Sequence, residues 1–233
     1  DGVGLQGAQA DYVRVPLADS TLLALPQEVH WEQGLLLGDV LPTAYFCAEL
    51  AEIRPGNHCV VVGCGPVGIL AVRAARELGA EQIFAVDTVP ERLALAARCG
   101  AVPISLNHED PVAVVGESTE GQGCDAVLEA VGSRFATELA LDLVRPGGIL
   151  AVVGVHSKTY SLSPKQLYDK NLTFKIGRCP ARHYMERLLP LVQSQKLDAT
   201  CVISHRLPLE EGAHGYQIFA GKREGCTKVL LRP

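Results

Sequence analysis

The sequence predicts an α/β fold built on a doubly wound parallel sheet, and three observations support this prediction. An apolar run from Cys59 to Val62 enters a glycine-rich turn, continues as an amphipathic helix and returns as an apolar run ending at Asp87. Strand-like and helix-like segments then alternate as far as residue 176. Units of this length place helices on both faces of a parallel sheet, and six strands complete a doubly wound fold.

The glycine-rich turn has the spacing of a dinucleotide site. Gly63 permits the tight turn, Gly65 lets the backbone approach a pyrophosphate, and Gly68 lets the helix pack closely on the strand. The first turn of the helix, at Pro66 and Val67, offers free N–H groups and a partial positive charge to phosphates. Strand, turn, helix and second strand together predict a Rossmann-type nucleotide site.

The acid at the end of the second strand indicates which dinucleotide binds. Asp87 stands 19 positions after Gly68, close to the spacing of ~20 for the carboxylate that binds the ribose hydroxyls of NAD. An NADP 2′-phosphate would be repelled by this carboxylate, so NAD is favoured. Arg92, one helical turn further on, weakens that preference because its charge can compensate.

The remaining elements follow from periodicity. Residues 9–16 and 21–26 look like strands of a sheet whose other strands are absent, since two strands alone bury too little surface. Residues 28–51 are predicted as helix with a break at 38–42. Beyond the turn we expect helices at 90–99, 135–144, 163–168, 181–196 and 210–220, one helical turn at 111–115, and strands at 102–106, 125–132, 149–155, 172–176, 201–207 and 227–231.

Bulk properties exclude several classes. The chain has 233 residues, 48% of them hydrophobic and 20% charged, with a net charge of −5; this acidic balance argues against nucleic acid as a partner. No apolar run approaches the ~20 residues of a membrane span. Eight scattered cysteines without a CxxC pair favour buried thiols in the reducing cytoplasm. The chain starts at Asp1 without a methionine, and we expect it to be part of a longer polypeptide.

Six segments occur in a fixed order along the chain: GAQADYVRVP, LLGDVLPTAYFCAELAEIRPGNHCVVVGCGPVGILAVRAARELGA, AVDTVPERL, DAVLEAVG, RPGGILAVVGV and TKVLLRP. In order and spacing they resemble the medium-chain zinc-type alcohol dehydrogenase family, including its formaldehyde-dehydrogenase-like members, over essentially the whole chain. The resemblance implies a Rossmann sheet with remnants of a GroES-like β domain. It assigns residues 1–38 to the end of that domain and a crossover helix, 39–179 to the NAD-binding domain, and 180–233 to a return to the catalytic domain.

The resemblance also implies roles for individual residues. Asp39 occupies the place of the third protein ligand of the catalytic zinc, a position held by Cys in many relatives and Asp in some. Taken alone, Asp39 is better explained as the cap of the following helix. Thr43 falls against the nicotinamide ring in the family. The other implied cofactor residues are Gly63, Gly65, Pro66, Val67 and Gly68 for the pyrophosphate, Asp87 and Arg92 for the ribose, Ala130 and Val131 for the cleft after the fourth strand, Val153 and Val155 for the carboxamide, and Arg178 in the same cleft.

The implied function is NAD-dependent, zinc-assisted oxidation of an alcohol or reduction of an aldehyde, with zinc as Lewis acid and NAD as hydride acceptor. The family's other zinc ligands fall before Asp1, so we expect the chain as given to hold the cofactor without completing the chemistry. The family also implies a homodimer or homotetramer.

Three alternatives remain: a zinc-free quinone or enoyl reductase that uses NADPH, a non-catalytic NAD-binding module, and a methyltransferase. Asp87 opposes an NADPH-linked enzyme, and Asp39 opposes the zinc-free chemistry. A methyltransferase would also end its first strand in glycines, but it usually carries an acid where this chain has Val61.

Overall fold

The computed structural model describes residues 7–233. Six parallel strands form one sheet in the order β3-β2-β1-β4-β5-β6, which confirms the doubly wound prediction. The strands are β1 His58–Val62, β2 Gln82–Asp87, β3 Val102–Ser105, β4 Cys124–Glu129, β5 Val144–Val152 and β6 Thr173–Ile176, and a second sheet pairs β7 His205–Pro208 with β8 Val229–Arg232.

Ten helices accompany these strands within the described residues. They are α1 Ala18–Thr21, α2 Trp31–Leu37, α3 Val40–Leu50, α4 Pro66–Glu77, α5 Pro90–Arg98, α6 Pro111–Ser118, α7 Arg134–Leu143, α8 Pro164–Asp169, α9 Ala181–Gln193 and α10 Gly212–Ala220. Each predicted helix after the glycine turn is present, and α6 is longer than the single turn expected there.

Alternate residues of the strands feed two separate cores. Cys59 and Val61 of β1 pack towards α3, α4 and α9 in one core. Val60 and Val62 face the opposite way, into a core closed by α6 and α7. Both sides of β1 are therefore covered, which explains why its sequence is apolar without alternation.

The expected strands near the start of the chain are absent from the structure. Between residues 7 and 38 the described chain forms no strand, and α1 ends at Thr21, the first residue of the segment 21–26. Tyr12 and Val13 are exposed. An alternating pattern cannot become a strand without a neighbour to accept its backbone hydrogen bonds. The domain assignment of residues 1–38 includes residues 1–6, which lie outside the described residues.

Three further boundaries differ from expectation. The break in the first helical region is confined to Gly38 and Asp39, because Pro42 fits the first turn of α3, where no N–H is required. Strand β5 begins at Val144, with a register shift opposite Cys124. The segment predicted as a strand at 201–207 divides into a 3₁₀ helix, Thr200–Val202, followed by β7.

The units β7, α10 and β8 form a small parallel layer beside the main sheet. Arg206 of β7 donates two hydrogen bonds to Glu32 of α2, at 2.6 and 2.7 Å, and so ties this layer to the start of the main domain. Within residues 7–233, every helix is too short or too polar to cross a bilayer.

Candidate functional site

The glycine turn joins β1 to α4 at the carboxyl edge of the sheet. Gly63 has φ +93°, which an L side chain rarely adopts. A Cβ on Gly68 would lie 1.8 Å from the carbonyl oxygen of Gly63, so only glycine lets α4 approach the turn this closely. A Cβ on Gly65 would meet no atom within 4 Å. The turn has no room for a side chain at Gly68, where α4 packs against it, and has open space at Gly65. A site for a pyrophosphate requires both features.

Pro66 begins α4, and its missing N–H is one the helix does not use. Val67 follows in the same turn and is half-buried. The N–H groups of this first turn have no partner within the helix and concentrate its partial positive charge. The open space at Gly65 therefore lies next to the N-terminus of α4, where the turn binds an anion most favourably.

Asp87 ends β2 and is held against the glycine turn. Its Oδ2 accepts a hydrogen bond from the backbone N–H of Cys64 at 2.7 Å. Its Oδ1 accepts from the N–H groups of Thr88 and Val89 at 2.6 and 2.9 Å. A carboxylate has about four acceptor positions, so one of them remains for a ligand hydroxyl. The side chain is only 8% exposed and is fixed in orientation.

Arg92 lies in the first turn of α5, close to the loop after Asp87. Its Nε is buried and has no hydrogen-bond partner among residues 7–233. A buried donor without an acceptor is costly unless a ligand supplies one. The open turn at Gly65, the fixed carboxylate of Asp87 and this unpaired donor together fit a phosphorylated nucleoside.

Glu129 is a site residue that the sequence analysis missed. It ends β4, is fully buried, and its Oε1 accepts hydrogen bonds of 2.7 Å from the N–H groups of Val131 and Gly132. Its Oε2 has no hydrogen-bond partner in the described chain, and Nε2 of His156 lies 3.5 Å away. Burial raises the pKa of Glu129 above the usual carboxyl value. An acid at the end of an apolar strand, just before Ala-Val-Gly, was the available signal.

Glu129 shapes the turn that lines the cleft. Gly132 has φ +80°, and a Cβ there would lie 2.4 Å from the carbonyl oxygen of Val155. A Cβ on Gly63 would lie 2.4 Å from Cγ2 of Val131. The turn at Val131 and Gly132 therefore lies between Gly63 and Val155.

Val153 and Val155 differ in how much of their backbone is available for the predicted contact with the carboxamide. The N–H of Val153 donates to the carbonyl of Glu129 at 3.0 Å and is therefore used within the sheet. Val155 is 81% exposed and leaves its backbone accessible. Ala130 donates its N–H to the carbonyl of Val62 at 3.0 Å, which fixes the end of β4 beside β1. Arg178 is exposed, two residues beyond β6, at the same edge of the sheet.

Asp39 and Thr43 lie at the start of α3. The Thr43 hydroxyl donates to Oδ1 of Asp39 at 3.2 Å, and the Asp39 side chain accepts no backbone hydrogen bond from the described helix. Asp39 is exposed, and its charge adds to burial in raising the pKa of Cys179, which lies in the segment after β6. Asp39 is therefore not a side-chain cap for α3, and it lies at the edge where the other site residues meet.

A groove of about 450 Å³ opens beside Asp39 and Val40, and its other wall includes Tyr216, Phe219 and Leu231. Across residues 7–233, no group of three His, Cys, Asp or Glu side chains could hold a metal ion. The described residues thus do not by themselves fit a zinc centre, which needs three protein ligands.

The strand order and the glycine turn define a Rossmann-type α/β domain, the class of fold on which dinucleotides bind. Residues 66–194, over half of the chain, match the family described as zinc-binding dehydrogenase, and the chain belongs to this family. The methyltransferase alternative is thereby removed.

Similar proteins agree with this family. The chain is 37% identical to zinc-type alcohol dehydrogenase B of Aspergillus flavus, over 98% of this chain and 55% of that protein. It is also 37% identical to a probable zinc-binding alcohol dehydrogenase of Mycobacterium tuberculosis, over 98% of this chain and 59% of the relative. The solved alcohol dehydrogenase of Thermus sp. ATN1 superposes with a TM-score of 0.94 at 42% identity, covering 98% of this chain and 66% of that one. The chain spans less than two thirds of the length of these relatives.

Proposed function

We propose that this chain is the cofactor-binding part of an NAD-dependent zinc-type alcohol dehydrogenase that interconverts an alcohol and an aldehyde or ketone. The observation that supports this most directly is the Asp87 carboxylate, held by the N–H of Cys64 beside the open glycine turn. An acid fixed there suits a ribose hydroxyl of NAD and opposes a 2′-phosphate.

Each residue then has a defined task. The N–H groups at the start of α4 bind the pyrophosphate above Gly65, and Asp87 accepts from the ribose. Val131 and Val155, at the ends of β4 and β5, flank the nicotinamide, and Thr43 lies on the opposite side of the cleft. When bound, NAD accepts hydride from the substrate carbon. The protein's contribution is to orient this ring and to keep water from the cleft.

The residue roles given above concern NAD and do not include the zinc ion. Asp39 is the residue that we propose as a zinc ligand, and the other ligands would have to come from residues beyond those described. The β7–β8 layer is our proposed remnant of the GroES-like domain. A cytoplasmic homodimer or homotetramer remains a proposal based on the cysteine usage and the family.

Titration of the purified protein with NADH, followed by cofactor fluorescence, tests the proposal. We expect saturable binding, with NADPH and an NAD analogue lacking the ribose 2′-hydroxyl each at least ~10-fold weaker, a loss of ~1.4 kcal/mol. Asp87→Asn should abolish this discrimination. The control Glu138→Gln, which replaces an exposed acid paired with Arg134, should bind as the parent does.

Equal affinity for NADH and NADPH would instead favour the NADPH-linked reductase. NADH binding without alcohol oxidation in the intact zinc-loaded protein would favour the non-catalytic module.

A further inference from the structure

The segment after β5 packs directly on the turn after β4. The N–H groups of Val153 and Gly154 both donate to the backbone carbonyl of Glu129, at 3.0 and 3.2 Å. A Cβ on Gly154 would lie 2.1 Å from the backbone nitrogen of Gly132 and 2.7 Å from Oε2 of Glu129. The two segments therefore meet through their backbones, and the side chain of Glu129 is enclosed between them.

His156 carries the polar group that lies nearest to the second oxygen of Glu129. Nε2 of His156 is 3.5 Å from Oε2 of Glu129, and both atoms are buried without a hydrogen-bond partner in the described part of the chain. The Glu129 side chain is fully buried, whereas the His156 side chain is 12% exposed. Unpartnered polar atoms are costly inside a protein, and one proton held between these two would satisfy both of them.

The groups around the pair leave this proton to Glu129 and His156. Burial raises the pKa of Glu129, while the N–H groups of its turn and the charge of His156 oppose the rise. On the α3 side, the Cys47 thiol stays protonated, because burial and the charge of Glu129 both raise its pKa. On the other side, the ring of Tyr160 packs on the imidazole, with 4.7 Å between the ring centroids. A carboxyl group with a raised pKa and an imidazole can hold one proton jointly near neutral pH.

We propose that Glu129 and His156 share one proton and that this proton fixes the turn at Val131 and Gly132. With the proton present, one hydrogen bond joins Oε2 to Nε2 and holds the two segments together. As the pH rises, the proton passes to solvent at the exposed edge of the imidazole. A buried carboxylate oxygen is then left without a donor, and the turn held by the other oxygen of Glu129 loosens.

His156 is thereby a positioning residue for the cofactor. This role rests on the proposed function, which places the nicotinamide between Val131 and Val155 and the pyrophosphate at the start of α4. Loss of the shared proton should weaken the contact with the nicotinamide and leave the contacts with the pyrophosphate and the adenosine ribose in place. Ligands with and without a nicotinamide should therefore differ in how their affinity depends on pH.

Binding of NADH and ADP-ribose at a series of pH values tests the proposal. NADH is titrated by its fluorescence, and ADP-ribose by its displacement of NADH, from about pH 6 to about pH 9. We expect the affinity for NADH to fall at least ~10-fold over this range, and the affinity for ADP-ribose, which lacks the nicotinamide, to change less than ~2-fold. The proposal is overturned if the affinity for NADH is constant, or if both ligands lose affinity in parallel.

Variants of His156 separate the effect of the proton from that of the side chain. The amide of His156→Gln offers an N–H that does not titrate, so this variant should bind NADH tightly at every pH. His156→Leu offers no donor and should bind NADH at least ~10-fold more weakly at every pH, with unchanged affinity for ADP-ribose. The control His108→Gln, at an exposed position after β3, should keep the pH profile of the parent. Loss of the pH dependence in the control would contradict the role of His156.

An NMR titration without cofactor gives a readout that does not depend on the proposed function. We expect the ring signals of His156 and the amide signal of Gly132 to shift with one common midpoint, and Glu129→Gln to move the midpoint of His156. An amide signal of Gly132 that does not follow His156 overturns the proposal. Absence of NADH binding at every pH would refute the proposed function, and the titration of Gly132 would then decide this proposal alone.

Discussion

Glu129 and His156 face one another at the carboxyl edge of the sheet, with 3.5 Å between Oε2 and Nε2. Neither of these two atoms has a hydrogen-bond partner elsewhere in residues 7–233. The other oxygen of Glu129 holds the turn at Val131 and Gly132. The geometry of the cleft therefore depends on a buried carboxyl group whose second oxygen is incompletely satisfied.

Stability should depend on pH through Glu129. Its pKa is raised by burial, so the folded protein binds this proton more tightly than the unfolded chain does. The contribution to stability is full below the ordinary carboxyl pKa of 4.5 and is lost as the pH rises through the raised folded value. Glu129→Gln cannot lose this proton. We expect urea unfolding to show the variant gaining on the parent above pH 4.5, by ~1.4 kcal/mol per pH unit within the window.

The control for this measurement is Glu138→Gln, which removes an exposed carboxylate from the same region. Its free energy of unfolding should follow that of the parent at every pH. If the free energies of unfolding of the parent and of Glu129→Gln change with pH in parallel, burial of Glu129 does not shift its pKa.

Alanine at Gly68 should lower stability, whereas alanine at Gly65 should lower the affinity for NADH. Gly68→Ala places a methyl group against the Gly63 carbonyl and should cost ~1–3 kcal/mol of stability through overpacking. Gly65 has φ −67° and open space, so Gly65→Ala should fold within ~0.5 kcal/mol of the parent. Its methyl group would occupy the pyrophosphate position, and NADH affinity should fall at least ~10-fold. Unchanged affinity in Gly65→Ala would refute the placement of the pyrophosphate.

Asp39→Ala distinguishes a helix cap from a metal ligand. The Asp39 side chain accepts no backbone hydrogen bond within the described part of α3, so its removal should cost less than ~0.5 kcal/mol. The matched variant is Asp110→Ala, since Asp110 caps α6 by accepting from Val112 at 3.0 Å; it should cost ~1 kcal/mol. In the intact protein, elemental analysis should show a loss of zinc only for Asp39→Ala. Equal zinc content in both variants would exclude Asp39 as a ligand.

Lys170 should stabilise the end of α7. Its ammonium group donates to the backbone carbonyls of Leu141 and Val144, the latter at 2.8 Å, in a half-buried position. Lys170→Met keeps the apolar stem but leaves these carbonyls without their donor, and we expect a cost of ~1–2 kcal/mol in thermal or urea unfolding. Lys165→Met, which loses only an exposed pair with Asp169, should change stability by less than ~0.5 kcal/mol. A loss in Lys170→Met as small as that in Lys165→Met would mean that the carbonyls are satisfied by water.

The sequence predicts the region from β1 to β2 well because the signals there are local. Glycine spacing, an apolar strand and a terminal acid each have one common structural meaning, and the positions of Gly63, Gly68 and Asp87 agree with it. The hydrogen bond from Cys64 to Asp87 was not predictable, because it requires the ends of β1 and β2 to lie close together in space.

Other features depend on contacts that periodicity does not encode. The alternation at residues 9–16 predicts a strand, although strand formation requires a neighbour that the described chain does not supply. Glu129 was missed because an acid within an apolar run does not reveal whether it points outwards or ends buried at a turn.

The order of the strands has a consequence for folding. β1 pairs on one side with β2, its neighbour in sequence, and on the other with β4, where the N–H of His58 meets the Asp125 carboxylate 67 positions later. Pairing across such a separation carries a large loop-closure entropy and proceeds slowly. During synthesis, a chain that has emerged only as far as β3 can already join Asp87 to the glycine turn. One edge of β1 stays unpaired and prone to aggregation until β4 has been synthesised and pairs with it. Dependence on chaperones should be greatest in that interval.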